Sequence, residues 1–163
     1  MVFKYIFVII IMNIYYKIED VDINDTFFYK PIVNKLSNYM YFYKIVYNIG
    51  ELTLNSLLIN VKIKKMNVVK DNNLFKCTIV IDEEFINKLK DFEIQLLNKM
   101  KTITQKQQLY TCHKYLSNTQ HTFIFNKVPE NLFVYLRISG VWESNNQIGI
   151  TSKIHNYPST EKF

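Results

Sequence analysis

The chain has 163 residues, 48% of them hydrophobic, and a formal net charge of +6. That length fits one domain with a sizeable core, and the high aromatic content excludes a disordered chain. The positive balance favours an anionic partner over an acidic substrate channel, although charge alone is shared by many proteins that bind nothing anionic. Alanine is absent, Gly and Pro number three each, and Arg137 is the one arginine. Residues with AT-rich codons dominate, which points to an AT-rich genome and discounts part of the Lys and Tyr signal.

In chain order, Val2 to Tyr16 is an apolar run interrupted by Lys4. It is short for a membrane span, which needs about 20 apolar residues, and no small-residue cleavage site follows it. Two expectations arise. Translation begins at Met12, or residues 2–11 add an apolar strand. The domain division is therefore an N-terminal extension over 1–11, one β-rich domain over 12–157 and a loose tail over 158–163. Intracellular placement in a host nucleus, cytoplasm or virion is expected, while secretion or anchoring through residues 1–16 stays open.

Residues 12–20 and 26–33 read as short extended segments, with Pro31 marking an edge or turn. Tyr39 to Tyr47 is aromatic and β-branched, as strands prefer. Asn48-Ile49-Gly50 is turn-like, and Leu57, Ile59, Val61 and Ile63 then alternate with Asn60, Lys62 and Lys64. Residues 39–64 are thus expected to form a β-hairpin, with 65–73 as a polar loop. Tyr39, Tyr41, Tyr43 and Tyr47 share one face of the first strand and Lys44 lies on the other. Such a tyrosine stripe suits either a core or a base-stacking surface.

Leu74 to Ile81 is a further strand. Asp82 then caps a helix over about 82–101, with Glu83 and Glu84 in its first turn and Lys99 and Lys101 near its end. Its broad apolar stripe (Phe85, Ile86, Leu89, Phe92, Leu96, Leu97, Met100) marks a helix that packs on a core. Residues 107–116 are ambiguous between strand and helix, and His121 to Asn126 is a strand. The last unit is a hairpin of Leu132 to Trp142 and Gln147 to His155, joined by Glu143-Ser144-Asn145-Asn146.

In that hairpin Leu132, Val134, Leu136, Ile138 and Trp142 are expected on one face. If Trp142 faces Ile148, then Arg137 faces Lys153. The opposite face then carries Phe133, Tyr135, Arg137, Thr151 and Lys153. Rings beside cations on one sheet face are what single-stranded nucleic acid needs, since bases stack on rings and phosphates sit on Lys and Arg. The competing arrangement packs Phe133 and Tyr135 under the helix.

Other chemistry finds little footing. Cys77 and Cys112 read as buried, reduced thiols. Together with His113 and His121 they lack the paired spacing of a metal site. No hydrolase, nucleotide-binding or metalloprotease motif occurs, and neither an enzyme nor a cofactor is expected.

Leu136-Arg137-Ile138-Ser139-Gly140-Val141-Trp142-Glu143, followed by Ile148-Gly149-Ile150-Thr151-Ser152-Lys153-Ile154, resembles the ending of short proteins of large DNA viruses and arthropod-infecting nuclear viruses, whose ending looks like "KISGIWE…GLTYKF". The segments YFYKIVYN and LTLNSLLI are similar to their early hairpin, and the helix around Asp91-Phe92-Glu93 to their single central helix. The likeness spans about residues 27–155, with only the last twenty or so motif-like. It implies an OB-like β fold and a single-stranded-DNA-binding role. The matched positions are Gly140, Trp142, Gly149 and Lys153. Ser152 departs from the usual aromatic residue, and Arg137 stands in place of a lysine. The glycines allow a bulge or close packing of Trp142, and Trp142 is expected to anchor the core.

The expected fold is therefore mostly β (α+β), an OB-like antiparallel barrel or curled sheet with one amphipathic helix. The expected function is non-sequence-specific binding of single-stranded DNA, or of RNA, in viral replication, recombination or packaging. Its contacts would be Tyr41, Tyr43, Lys44, Lys62, Lys64, Tyr135, Arg137 and Lys153, with Gly140, Trp142 and Gly149 as structural motif. The alternative is a non-enzymatic structural or interaction protein of the virion or replication complex, associating through exposed strands. A homo-oligomer fits both readings. Neither a small-molecule substrate nor a membrane is an expected partner.

Overall fold

The computed structural model of the chain describes residues 14–33 and 40–158. The expectations placed on residues 1–11, on Met12, on Tyr39 and on the tail after Pro158 lie outside the described residues. The fold is mostly β with two helices, an α+β arrangement built on a curled, OB-like sheet.

Two 3-10 turns, Ile18–Asp20 and Ile23–Asp25, lead into β1 (Thr26–Phe28) and β2 (Ile32–Val33). Both strands lie antiparallel to β3 (Tyr41–Ile49). The expected hairpin over 39–64 is much shorter than its sequence pattern. β3 turns at Gly50 into β4 (Leu52–Leu54), which pairs with it for only three residues. The next strand, β5 (Leu57–Asn60), leaves β3 and pairs with β10 (Leu132–Glu143). Alternation made this segment a strand, but alternation carries no information about which strand it joins.

The expected loop over 65–73 is also corrected. Ile63–Asp71 is a strand, β6, joined by a turn at Asn72 to β7 (Leu74–Ile81). Its lysines and asparagine made it look like loop. It folds as strand because β7 supplies a full ladder, and none of its nine residues is buried. β7 pairs on its other side with β9 (His121–Phe125), closing a three-stranded sheet.

Helix α1 (Glu83–Lys101) follows the expected boundaries. The Asp82 carboxylate accepts the backbone N–H groups of Glu84 and Phe85 at 3.1 and 3.3 Å, satisfying two donors that the first turn leaves unpaired. At the other end the Lys99 ammonium donates to the carbonyls of Ile23, Asn24 and Thr26. The apolar stripe of α1 is buried as expected, with Leu89, Leu96, Leu97 and Met100 fully enclosed. The ambiguous stretch 107–116 contains both elements: β8 (Gln107–Leu109), parallel to β11 (Gln147–Pro158), and then the short helix α2 (Cys112–Asn118). The resemblance implied one central helix; α2 is a second.

The eight-stranded sheet runs β1-β3-β10-β11-β8, with β2 and β4 on β3 and β5 on β10. β10 is its spine. One edge of β10 takes β11, and the other takes β5 along residues 135–138 and β3 along 140–143. Where it changes partner, the ladder to β11 slips by one residue between Ile138 and Gly140. This β-bulge reverses the alternation. Val134, Leu136 and Ile138 face the core before it, and Val141 and Glu143 after it. Two expectations change as a result. Glu143 is a buried strand residue and not part of the connecting loop. Trp142 lies on the outer face opposite Gly149, not in the core opposite Ile148. The Arg137–Lys153 pairing, before the bulge, is as expected.

Gly140 and Gly149 both permit close approach. A Cβ on Gly140 would run into the Tyr43 carbonyl oxygen and the Phe42 ring, and one on Gly149 would lie 2.5 Å from Cζ2 of Trp142. Gly140→Ala is expected to destabilise the protein by about 2 kcal/mol or more, since backbone must move to admit the methyl group. Asp82→Ala is expected to cost only about 1 kcal/mol. Urea denaturation of both variants beside the parent chain checks the order.

Candidate nucleic-acid interface

The inner face of the large sheet packs against α1 and α2 in one apolar cluster. The outer face follows from the register. Phe133 pairs with Tyr157, Tyr135 with His155, and Arg137 with Lys153, while Asn60 and Leu58 of β5 extend the last two rows. Beyond the bulge Gly140 pairs with Thr151 and with Lys44, and Trp142 with Gly149 and with Phe42. No carboxylate occurs among these outward-facing strand residues.

The rings form a cluster. Tyr135 and His155 stack with centroids 5.1 Å apart and planes 12° from parallel. Tyr157 tilts against Tyr135 at 6.0 Å, and Tyr15 meets it edge-on at 5.1 Å. Phe133 stands beside them, 60% exposed. The arrangement in which Phe133 and Tyr135 pack under the helix does not occur, because α1 covers the other face. Arg137 and Lys153 sit directly opposite one another, both exposed, and neither meets a carboxylate among the described residues. Like charges placed so closely destabilise a sheet slightly unless an anion relieves them.

The remaining expected contacts divide. Lys44 shares the outer face, half-buried. Tyr43 does not. It is 7% exposed on the inner face, where its hydroxyl donates to Oε2 of Glu143 at 2.6 Å. Burial, that hydrogen bond and the nearby carboxylate charge push its phenol up to about 12. Tyr41 packs against the same core and Tyr47 is buried. Among its described members the tyrosine stripe is therefore core, and neither Tyr41 nor Tyr43 belongs to the outer surface. Lys62 and Lys64 are exposed but engaged at the start of α1. Lys62 contacts Glu84 at 3.1 Å and Asp82 at 3.7 Å, and Lys64 contacts Glu83 at 2.8 Å. The acidic first turn that stabilises α1 thus also holds these two cations.

His155, Tyr157, Tyr15 and Phe42 extend the surface beyond the residues expected from sequence. Continuing the outward parity of β11 past Lys153 leads directly to His155 and Tyr157. Phe42 was hidden by reading the odd-numbered tyrosines of β3 as the candidate surface.

The other polar clusters are internal. The Glu93 carboxylate is fully buried. It accepts N–H groups from Thr111, Cys112 and His113 at 3.0, 2.9 and 3.2 Å, and its Oε2 lies 2.6 Å from Nδ1 of His113. Burial pushes the Cys112 thiol up to about 12, with Ser152 opposing this through a 3.2 Å hydrogen bond, so it is a poor nucleophile near neutrality. Cys77 is likewise buried and raised by burial. Among the described residues no group of three or more His, Cys, Asp or Glu side chains is placed to hold a metal ion. No helix among them is long and apolar enough to cross a membrane. No family model, curated protein or solved structure matches the chain.

His155 reports on the charge of this face. Burial, then Lys153, then Arg137 hold its imidazole below the ordinary histidine value. A folded-state pKa below the unfolded one means that the folded protein binds fewer protons in that window. The associated stability is therefore present above about pH 6.5 and is lost as pH falls through the folded pKa. Lys153→Ala is expected to raise the His155 pKa and narrow that window. An NMR titration of the His155 ring protons in both chains measures the change.

Proposed function

We propose that this protein binds single-stranded nucleic acid without sequence specificity, with DNA as the ligand, through the outer face of β5, β10 and β11. One observation carries the reading: the Tyr135–His155–Tyr157 ring cluster lies beside an exposed Arg137–Lys153 pair with no carboxylate on that face among the described residues. Every base has a π-face, so stacking on such rings tolerates any sequence. The opposed cations gain a phosphate between them and lose their mutual repulsion. Neutral near pH 7, His155 stacks without adding to that repulsion. The resemblance of the β10–β11 hairpin to viral single-stranded-DNA-binding proteins, and a composition rich in residues with AT-rich codons, support a place in the replication, recombination or packaging of a DNA virus.

The test is fluorescence polarisation of labelled oligo-dT with the full chain across a salt series. Affinity should fall as salt rises, with a log–log slope of roughly −0.7 for each phosphate neutralised. Arg137→Ala with Lys153→Ala should weaken binding about tenfold or more and flatten that slope by about one unit or more. Tyr135→Ala should remove about 1–3 kcal/mol of stacking. Lys62→Ala and Lys64→Ala should leave affinity nearly unchanged, because their ammonium groups already face α1. Absence of binding at low salt overturns the reading, and equal loss from the Arg137–Lys153 and Lys62–Lys64 pairs moves the site elsewhere.

A further inference from the structure

Among the described residues the three-stranded sheet ends in a bare strand. β6 runs for nine residues at the edge beyond β7, seven of them exposed and two half-buried. Lys65, Asn67, Val69 and Asp71 face outward beside Val80, Thr78, Lys76 and Leu74. Met66, Val68 and Lys70 occupy the other side. On this outward side Val69, Val80 and Ile124 are each more than half accessible, with Lys76 standing between Val69 and Ile124 in the register. A long edge of this kind templates further strand pairing unless charges prevent it.

The charges on β6 discriminate between pairings. We propose that β6 is a self-recognition edge, at which two copies pair antiparallel about a two-fold axis at Val68. This register sets Lys65 of each copy opposite Asp71 of the other, with Val68 meeting Val68 and Met66 lying under the stem of Lys70. Because the pairing is isologous, the Lys65–Asp71 contact forms twice. Moving the axis to Asn67 sets Lys64 opposite Lys70. Moving it to Val69 leaves Lys65 opposite Asn73 and Val68 opposite Lys70. In-register parallel pairing stacks each lysine on its own copy. The lysines that would repel an arbitrary strand thus select one arrangement of this one. Asp71 already has Lys76 as an intramolecular ion-pair partner, so it is an anion held on the outer face before the second copy arrives. The product is a continuous six-stranded sheet.

Edge pairing of this length covers less than the roughly 1,000 Å² of a tight interface, so the dimer is weak and concentration-dependent. None of its residues belongs to the proposed nucleic-acid face, and the two readings fail independently. Sedimentation velocity of the full chain without nucleic acid, across a concentration series, is expected to show a monomer–dimer equilibrium. Lys65→Asp should weaken it about tenfold or more by replacing two attractions with two repulsions. Lys65→Asp with Asp71→Lys should restore it to within about threefold of the parent, since the contacts are swapped and not removed. Both sites are exposed, and far-UV circular dichroism confirms the fold of each variant. A monomer at every concentration, a dimer indifferent to Lys65→Asp, or a swap that fails to restore association would each overturn the proposal.

Discussion

The slip of one residue between Ile138 and Gly140 governs the rest of the molecule. β10 is central in the large sheet, and its inner residues must meet the core along its whole length. A regular strand would keep even-numbered residues inside throughout, enclosing Trp142 and turning Val141 to solvent. The bulge places Val141 inside and lets β10 hand over from β5 to β3 along one edge. It also brings Glu143 inside, where the hydroxyl of Tyr43 meets the carboxylate and Lys106 lies 3.8 Å away. A buried carboxylate without such partners would be strongly unfavourable. Gly140 completes the device, because its missing side chain is where the backbone of β3 comes close.

The charged residues divide between two roles. Around the start of α1, Lys62, Lys64 and Lys88 lie against Glu83, Glu84 and Glu19, and on the outward side of the three-stranded sheet Lys76 lies against Asp71. These exposed pairs contribute little to stability individually. On the outer face of the sheet Arg137 and Lys153 stand beside rings, with no acidic neighbour among the described residues.

What was legible in the sequence was local. The cap and stripe of α1 emerge from residues adjacent along one helix. Parity within one hairpin puts Arg137 and Lys153 on one face with the rings of β10; their direct pairing was expected from a Trp142–Ile148 anchor that does not form, and it holds because the bulge absorbs the one-residue difference. What failed was non-local. Leu57 to Asn60 alternates as a strand whichever neighbour it joins, and β10 was its neighbour. The polar composition of Lys64 to Asp71 hides a strand that needs only a ladder from β7. Parity counting placed Trp142 inside because a single inserted residue reverses every assignment after it. Tyr43 could have been core or surface until Glu143 was found opposite its hydroxyl.

Glu93 carries a consequence for the order in which the structure opens. α2 has only seven residues, too few to persist alone in water. Its first-turn N–H groups are held by a carboxylate that belongs to α1. No side chain of its own cap residue, Thr111, performs this task. The short helix is thus conditional on the long one, and the two belong to a single cooperative unit. In hydrogen-exchange terms α2 does not fray as its length suggests. Its amides exchange when α1 leaves the sheet, so the least self-sufficient helix inherits the protection of the most secure one.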